Sequence, residues 1–262
     1  MRISFVGAGR VASHFVHALQ QGQHQLLQIY SRRLAHAEQL AKTCAAEALD
    51  HLDHLDPDCD VLMIAVADAA IEQVVAALPV LSEHCVVVHC SGSTPLSVLQ
   101  RFQRYGVFYP LQSFSLGATV DWSQVPLLLE ANHPIALQCL QQLAAELSQR
   151  IYCYDTEQRL TLHLAAVFAS NFANYCYDAA AQLLAVQQVD RSLLSPLILA
   201  TAQKATEQSP EWVQTGPAAR GDLAILALHR ALLEQAERPD LQALYQLMSQ
   251  AILQRQQALI QR

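Results

Sequence analysis

At 262 residues, with 52% apolar and 15% charged positions, the chain is long enough for one large or two modest domains and reads as a compact folded protein without a disordered tail. A net charge of −7 and a pI near 5.8 argue against the basic footprint of a nucleic-acid binder. No uninterrupted apolar stretch reaches the roughly 18 residues of a membrane span.

The first element is the apolar run Ile3-Ser4-Phe5-Val6, which reads as a buried strand, and a helix-like stretch follows over 12–20. Between them stands Gly7-Ala8-Gly9-Arg10-Val11-Ala12, a G-x-G-x-x-A in the strand-turn-helix setting of a dinucleotide fold. Gly7 allows the tight turn, and Gly9 lets the backbone approach a pyrophosphate that a Cβ would obstruct. Ala12 keeps helix and strand close, while the first helical N–H groups face the phosphates. A second strand is expected over 25–30, followed by Ser31-Arg32-Arg33. An adenine ribose with a free 2′-hydroxyl usually meets an Asp or Glu about 20 residues past the glycines. Here a hydroxyl and two guanidinium groups stand instead, suited to clasping a 2′-phosphate with forked, charge-assisted hydrogen bonds. The residues thus favour NADP(H) over NAD(H); the alternative is two solvated arginines opening a helix.

A helix is expected over 34–46 and a weak third strand over 48–51. Asp60-Val61-Leu62-Met63-Ile64-Ala65-Val66 is a continuous apolar strand of the kind buried in a parallel sheet, and Ala67-Asp68 turns into a helix over 69–78. The next strand is Cys85-Val86-Val87-Val88-His89-Cys90, closed by the turn Ser91-Gly92-Ser93. Gly106-Val107-Phe108-Tyr109 repeats the pattern ahead of Pro110, and strands over 125–130 and 151–154 flank a helix over 135–148. The alternation predicts an α/β fold, a doubly wound, mostly parallel Rossmann sheet over residues 1–154. From Asp155 the texture becomes Leu/Ala-rich, with helical segments over 157–186, 191–207, 222–235 and 240–260 punctuated by Pro210, Gly216, Pro217 and Pro239. Asp155-Thr156 reads as a helix cap. Residues 155–262 therefore form an all-α substrate and dimerisation domain. Its broad apolar faces, with little charge between His163 and Tyr177, predict burial against a second subunit in a homodimer.

In open α/β sheets ligands lie beyond the carboxyl ends of the strands. That rule gathers Gly7 to Ala12, the small residues Ala65-Val66-Ala67 with Asp68, His89 to Ser93, and Tyr109 to Ser113. Ala65, Val66 and Ala67 leave room for a ribose or nicotinamide. His89 is either a proton-bearing group or a strand-end histidine satisfied by backbone, and Ser91 either orients substrate or serves the turn. The amino terminus lacks the basic region, apolar core and cleavage site of a signal peptide. Seven cysteines, without a C-x-x-C pair, read as reduced thiols, so the expected location is the cytoplasm. The histidines fall at no standard ligand spacing, and His51-x-x-His54 sits in an acidic loop, so no metal site is expected.

His89-Cys-Ser91-Gly92, Gly106-Val-Phe-Tyr-Pro110-Leu-Gln-Ser-Phe114, Ala169-Ser170-Asn171-Phe172 and Gly216-Pro217-x-x-Arg220-Gly221-Asp222 together resemble the Rossmann-like proteins with a DUF2520 carboxyl-terminal domain. The resemblance spans nearly the whole chain. It implies an NADP oxidoreductase, similar in plan to pyrroline-5-carboxylate reductases and the 6-phosphogluconate-dehydrogenase-like superfamily, with no particular substrate. The family often has His-Pro where Tyr109-Pro110 stands, so Tyr109 either replaces an essential histidine or alters the activity. On the first long helix, residues seven apart stack after two turns, which would place His163 and Ser170 on one face with Asn171 and Asn174 adjacent. An imidazole flanked by amides could deliver a proton to a substrate carbonyl, or these could be buried groups bonding across helices. The resemblance favours Asn171 as a substrate contact. Arg220 either clamps a carboxylate or pairs with Asp222, which reads as an N-cap; His229 reads as structural.

The expectation is an NADP(H)-dependent oxidoreductase moving hydride to or from a C=O or C=N carbon of a small, anionic substrate. His163 is the expected proton donor, Asn171 and Ser91 orient substrate, and Arg220 holds an anionic group. Two rivals stay open: a non-catalytic NADP(H)-binding sensor, and a deazaflavin-linked NADP reductase.

Overall fold

A computed structural model of the protein describes residues 1–115 and 117–260. Eight strands form one sheet in the order β3-β2-β1-β4-β5-β6-β7-β8. They are β1 (Arg2–Val6), β2 (Gln25–Tyr30), β3 (Glu47–Leu49), β4 (Val61–Ile64), β5 (Val86–His89), β6 (Arg104–Pro110), β7 (Leu127–Ala131) and β8 (Ile151–Cys153). All neighbours are parallel except β6 and β7, which run antiparallel from Gly106 opposite Ala131 to Pro110 opposite Leu127. The fold is the expected doubly wound, mostly parallel Rossmann sheet followed by an all-α region. Strand order reverses between β1 and β4, so the crevice at their carboxyl ends is the topological switch point where such folds hold ligands.

The period-2 alternation of the central strands fills two cores at once. Ile3, Phe5, Val61, Met63, Val86 and Val88 point to one face, where α1 (Arg10–Leu19), α2 (Leu34–Ala41) and α4 (Pro134–Leu147) supply Phe15, Leu40 and Leu140. Val6, Leu62, Ile64 and Val87 point to the other, against Ile71 and Val75 of α3 (Asp68–Ala77). Each fully buried Ile, Leu or Phe contributes about 1.5–3 kcal/mol relative to exposure, so a one-residue slip of any central strand is heavily disfavoured.

Element ends moved for local reasons. Helix α2 stops at Ala41 rather than at residue 46, because Ala45 adopts φ of +56° in the tight return to β3. Helix α3 stops at Ala77, and Leu78, ahead of Pro79, takes the extended conformation that a following proline enforces. The long segment expected over 157–186 is α5 (Thr156–Ala166), a π-helical turn (Val167–Phe172) and α6 (Ala173–Val186). Asp155 caps α5 in a full capping box: its carboxylate accepts from the Gln158 N–H at 2.8 Å, and its own N–H donates to Gln158 Oε1 at 3.1 Å. Helices α7 (Ser195–Glu207), α8 (Pro217–Arg220), α9 (Leu223–Gln235) and α10 (Pro239–Ile260) complete the chain. The four-residue α8 lies between the helical segments expected over 191–207 and 222–235. Gly221, at φ of +69°, closes it in the left-handed cap conformation, and Asp222 then caps α9 by accepting from the Ile225 N–H at 3.2 Å.

The chain divides into two compact units, Met1–Phe172 and the remainder from Ala173. Sequence texture changes near residue 155, yet α5 goes with the sheet, because Arg159 of α5 is buried among groups of β7 and the loop after β5. The second unit has a small core of Ala179, Leu233 and Leu241. Among the described residues no helix is long and apolar enough to cross a membrane.

Candidate active site

The glycine turn closes as its sequence requires. Gly7, at φ of +120°, donates to the Tyr30 carbonyl at 2.8 Å, and a Cβ there would run into the backbone carbonyl of Ala65. Gly9 is different: a Cβ would meet no protein atom within 4 Å, and its backbone lies in the extended region open to any residue. The protein itself therefore does not demand glycine at 9, whereas close approach of a pyrophosphate would. Arg10, Val11 and Ala12 form the first turn of α1, with Arg10 exposed and Ala12 fully buried in the core. The chemistry of this donor set fits a dinucleotide: free N–H groups at a helix start, no side chain in the way, and a cavity alongside.

That cavity, of about 330 Å³, runs from Gly7, Ala8 and Gly9 past Ala65, Val66 and Ala67 to Ser31 and Arg32. Leu52, Ala70 and Val74 give it apolar walls, and Tyr30, Gln73 and His36 add polar groups. Among the described residues no Asp or Glu lines it. Two expected contributors lie elsewhere. Arg33 is the N-cap residue of α2, with φ of −111°, and is not among the lining groups. Asp68, the first residue of α3, accepts from the Ser93 hydroxyl, so it ties the turn after β4 to the turn after β5. His36 and Tyr30 were missed from sequence; the position of His36 in the first turn after Ser31-Arg32-Arg33 was the available signal.

Beyond β5 the chain folds into a turn that uses Ser91 internally. Its hydroxyl oxygen accepts from the Ser93 N–H at 3.1 Å, the Thr94 N–H at 3.0 Å and the Thr94 hydroxyl at 2.9 Å, and the residue is buried. Of the two readings open for Ser91, the structure shows the turn chemistry: its oxygen accepts within its own turn. His89 is fully buried, with Nδ1 accepting from the Ser91 N–H at 3.2 Å. Burial, aided by the Arg159 guanidinium, pushes its pKa down to about 4, so it stands as a neutral imidazole. Burial also pushes the Cys90 thiol up, leaving it protonated and unreactive.

Gly92 makes the centre of the arrangement possible. A Cβ at this position would overlap His163 and lie 2.7 Å from the Tyr109 ring. With hydrogen alone there, Tyr109 of β6 and His163 of α5 meet: Tyr109 Oη and His163 Nδ1 are 3.0 Å apart, and the rings are 5.9 Å between centroids at 69°. Burial, with the Asp68 charge, pushes the Tyr109 phenol up to about 12, against the opposing influence of Arg159. The phenol is therefore un-ionised at neutral pH, and it shares its hydrogen bond with His163 Nδ1 while keeping its own proton.

Beneath this pair lies a group that sequence reading missed. Arg159, fully buried, donates to the carbonyls of Ser91 at 3.2 Å and Gly92 at 3.0 Å, and to Glu130 Oε2 and Thr156 Oγ1 at 3.2 Å each. Thr156 in turn donates to Glu130 at 2.9 Å. One guanidinium thus fixes the Ser91-Gly92 turn, the end of β7 and the start of α5, one helical turn before His163. Its place as the last charged residue before a run without Asp, Glu, Lys or Arg over 160–177 was the sequence signal.

The amide cluster expected around His163 is not formed. Ser170, Asn171 and Asn174 are exposed, and the π-helical turn between His163 and Asn174 breaks the two-turn stacking that an α-helix would give. The hydrogen-bond partner of His163 is Tyr109 instead. Arg220 is exposed on α8, and the Arg220–Asp222 pairing is absent because Asp222 spends its carboxylate on the α9 cap. His229, in the second unit, bonds through Nδ1 to the Tyr245 hydroxyl at 2.9 Å.

Residues 125–252 match the family described as a domain of unknown function, DUF2520, and residues 1–89 match an oxidoreductase family with an NAD-binding Rossmann fold. A crystal structure from Bacteroides fragilis, named "putative NADP oxidoreductase BF3122", is 36% identical with a TM-score of 0.90, covering 97% of this chain and 98% of its own. An imine reductase from Myxococcus stipitatus in complex with NADP+ is 14% identical with a TM-score of 0.69, covering 98% of this chain and 95% of its own. The 1-pyrroline-5-carboxylate reductase of Streptococcus pyogenes is 16% identical with a TM-score of 0.62, covering 97% and 98%. At those last two identities the likeness is one of fold. No curated protein matches the chain.

Proposed function

Because the chain belongs to the DUF2520 family of Rossmann-like proteins, we propose that it is an NADP(H)-dependent reductase acting on a C=O or C=N carbon of a small, anionic molecule. The observation that carries the reading is the Tyr109–His163 hydrogen bond of 3.0 Å across Gly92, at the carboxyl ends of β5 and β6. NADP(H), held by Gly7, Ala8, Gly9, Ser31 and Arg32 with Ala65, Val66 and Ala67, supplies the hydride chemistry. The chain's own residues supply the proton. Tyr109 holds Nδ1 as an acceptor, so the mobile proton of His163 sits on Nε2, where it is available to a substrate oxygen or nitrogen. On this reading Tyr109, standing where the family often has histidine, orients the acid rather than replacing it. The absence of any carboxylate lining the nucleotide cavity, with Arg32 in it, supports NADP(H) over NAD(H).

The test is NADPH oxidation against a panel of keto acids, aldehydes and cyclic imines, with His163→Gln and Tyr109→Phe alongside. With an accepted substrate, losing a positioned proton donor lowers kcat about 10²–10⁴-fold for His163→Gln, and Tyr109→Phe lowers it less while moving its pH profile. Tight NADPH binding without turnover of any class would favour the sensor reading.

A further inference from the structure

We infer that Cys59 and Cys85 are a redox pair, which a peroxide converts from two buried thiols into a disulfide tying together the two ends of the β4–α3–β5 crossover. Cys59 stands two residues before β4 and Cys85 directly before β5, on neighbouring parallel strands whose register sets Val61 opposite Val86. Their sulfurs are 3.5 Å apart, and both residues are buried. The backbone around them is fixed. The Asp60 N–H donates to the Arg2 carbonyl at 2.9 Å, the Cys85 N–H to the Ser82 carbonyl at 3.0 Å, and the Val86 N–H to the Asp60 carbonyl at 2.9 Å. A disulfide holds its sulfurs about 2.05 Å apart, so bonding closes the 3.5 Å contact by about 1.5 Å, a distance that side-chain rotation supplies.

Two further features distinguish this pair. Cys85 lines a cavity of about 260 Å³ formed by residues 79–83 and 101–103 with Val87, which gives a molecule as small as hydrogen peroxide a way to its sulfur. The two sulfurs also share a hydrogen bond. Once one proton is lost, the remaining S–H donates to the thiolate, so that proton leaves more readily than from an isolated buried thiol such as Cys90. The charge belongs to the pair, and the sulfur at the cavity reacts. The Cys85 thiolate attacks one peroxide oxygen, the O–O bond breaks, and the hydroxide released takes up the first proton as water, leaving a sulfenic acid. The Cys59 sulfur then attacks the Cys85 sulfur. An S–S bond forms, the S–O bond breaks, and the departing hydroxide leaves as water with the Cys59 proton. The two thiols are oxidised together by two electrons, and the peroxide is reduced to two waters. The link encloses Ala65, Val66, Ala67, Ala70 and Val74, which wall the nucleotide cavity, so oxidation braces one side of it.

The experiment treats the reduced full chain with hydrogen peroxide, alkylates it, and digests it with a protease that cuts after Glu72 and Glu83, placing Cys59 and Cys85 on separate peptides. The expected product, from chains that run as monomers on a non-reducing denaturing gel, is those two peptides joined and lighter by two hydrogens. Fragmentation assigns the link to Cys85 rather than Cys90, and dithiothreitol separates the peptides again. The oxidised protein is expected to melt roughly 5–10 °C above the reduced one. Cys59→Ala and Cys85→Ala are each expected to lose the link and the gain, and the wild-type map decides the pairing even where a variant fails to fold. Peptides that stay apart, a Cys85 carried on to sulfinic acid beside a free Cys59, or linkage to another cysteine overturns the pair. Joined peptides with no gain in Tm overturn the bracing of the crossover.

Discussion

Replacing Arg159 by methionine tests whether one buried guanidinium holds the candidate site together. The side chain is fully buried and donates four hydrogen bonds, two to main-chain carbonyls of the Ser91-Gly92 turn and one each to Glu130 and Thr156. Methionine keeps most of the volume, so little cavity is created; the cost is electrostatic. Breaking a buried ion pair by removing one partner costs about 3–5 kcal/mol, because the remaining charge stays desolvated. Glu130 keeps 15% of its side chain in contact with solvent and retains Thr156 as a donor, so the expected loss is near the lower bound, about 3 kcal/mol. For a protein of this size that lowers Tm by about 6–12 °C. Urea unfolding of Arg159→Met, Glu130→Gln and the double variant, each followed by circular dichroism, measures the loss and the coupling. The double variant should be less destabilised than the sum of the singles, since it leaves no unpaired charge. A loss below about 1 kcal/mol in Arg159→Met, or strict additivity, would refute the reasoning.

The two glycines of the turn should respond oppositely. Gly7→Ala strains a positive φ and drives a Cβ into Ala65, and is expected to destabilise by at least 1–3 kcal/mol, read by thermal unfolding. Gly9→Ala adds a Cβ that meets no protein atom within 4 Å, so Tm should change by only a few degrees while NADPH affinity falls at least tenfold. For His89, the folded pKa near 4 lies below the unfolded value of 6.5, so between those values the unfolded chain binds the proton that the folded one refuses. Stability therefore rises with pH across about 4 to 6.5, by an amount on the order of 3 kcal/mol, and His89→Asn should flatten that part of a pH series of urea midpoints. The second unit leaves Leu197, Leu199, Leu223 and Leu247 each more than 60% exposed. Sedimentation should show a homodimer, and Leu223→Asp with Leu247→Asp should shift it toward monomer; a monodisperse wild-type monomer would refute the expectation.

Much of the site was legible because its signals are local. Gly7, Gly9 and Ala12 are spaced by the demands of one turn, and the apolar runs at Val61 and Val86 could only be central parallel strands. The misreadings have equally physical causes. Stacking His163 with Ser170 assumed 3.6 residues per turn, and the π-helical turn over Val167–Phe172 spoiled the register. Arg33 was grouped with Arg32 by adjacency, yet Arg32 lines the cavity and Arg33, at the N-cap of α2, does not. Ser91 offered a free hydroxyl in the sequence but was consumed by the N–H groups of its own turn.

The sequence by itself determined the sheet, the dinucleotide turn and the cofactor class it favours, since these depend on side-chain periodicity and on backbone freedom within a few residues. Only the tertiary structure decided that Tyr109 and His163, 54 positions apart, share a hydrogen bond. It alone decided that Arg159 binds Ser91 and Gly92 across 68 and 67 positions, and that His36 joins Arg32 in one cavity. Such pairings are set by which strand ends the crossovers bring side by side, and no local pattern encodes them.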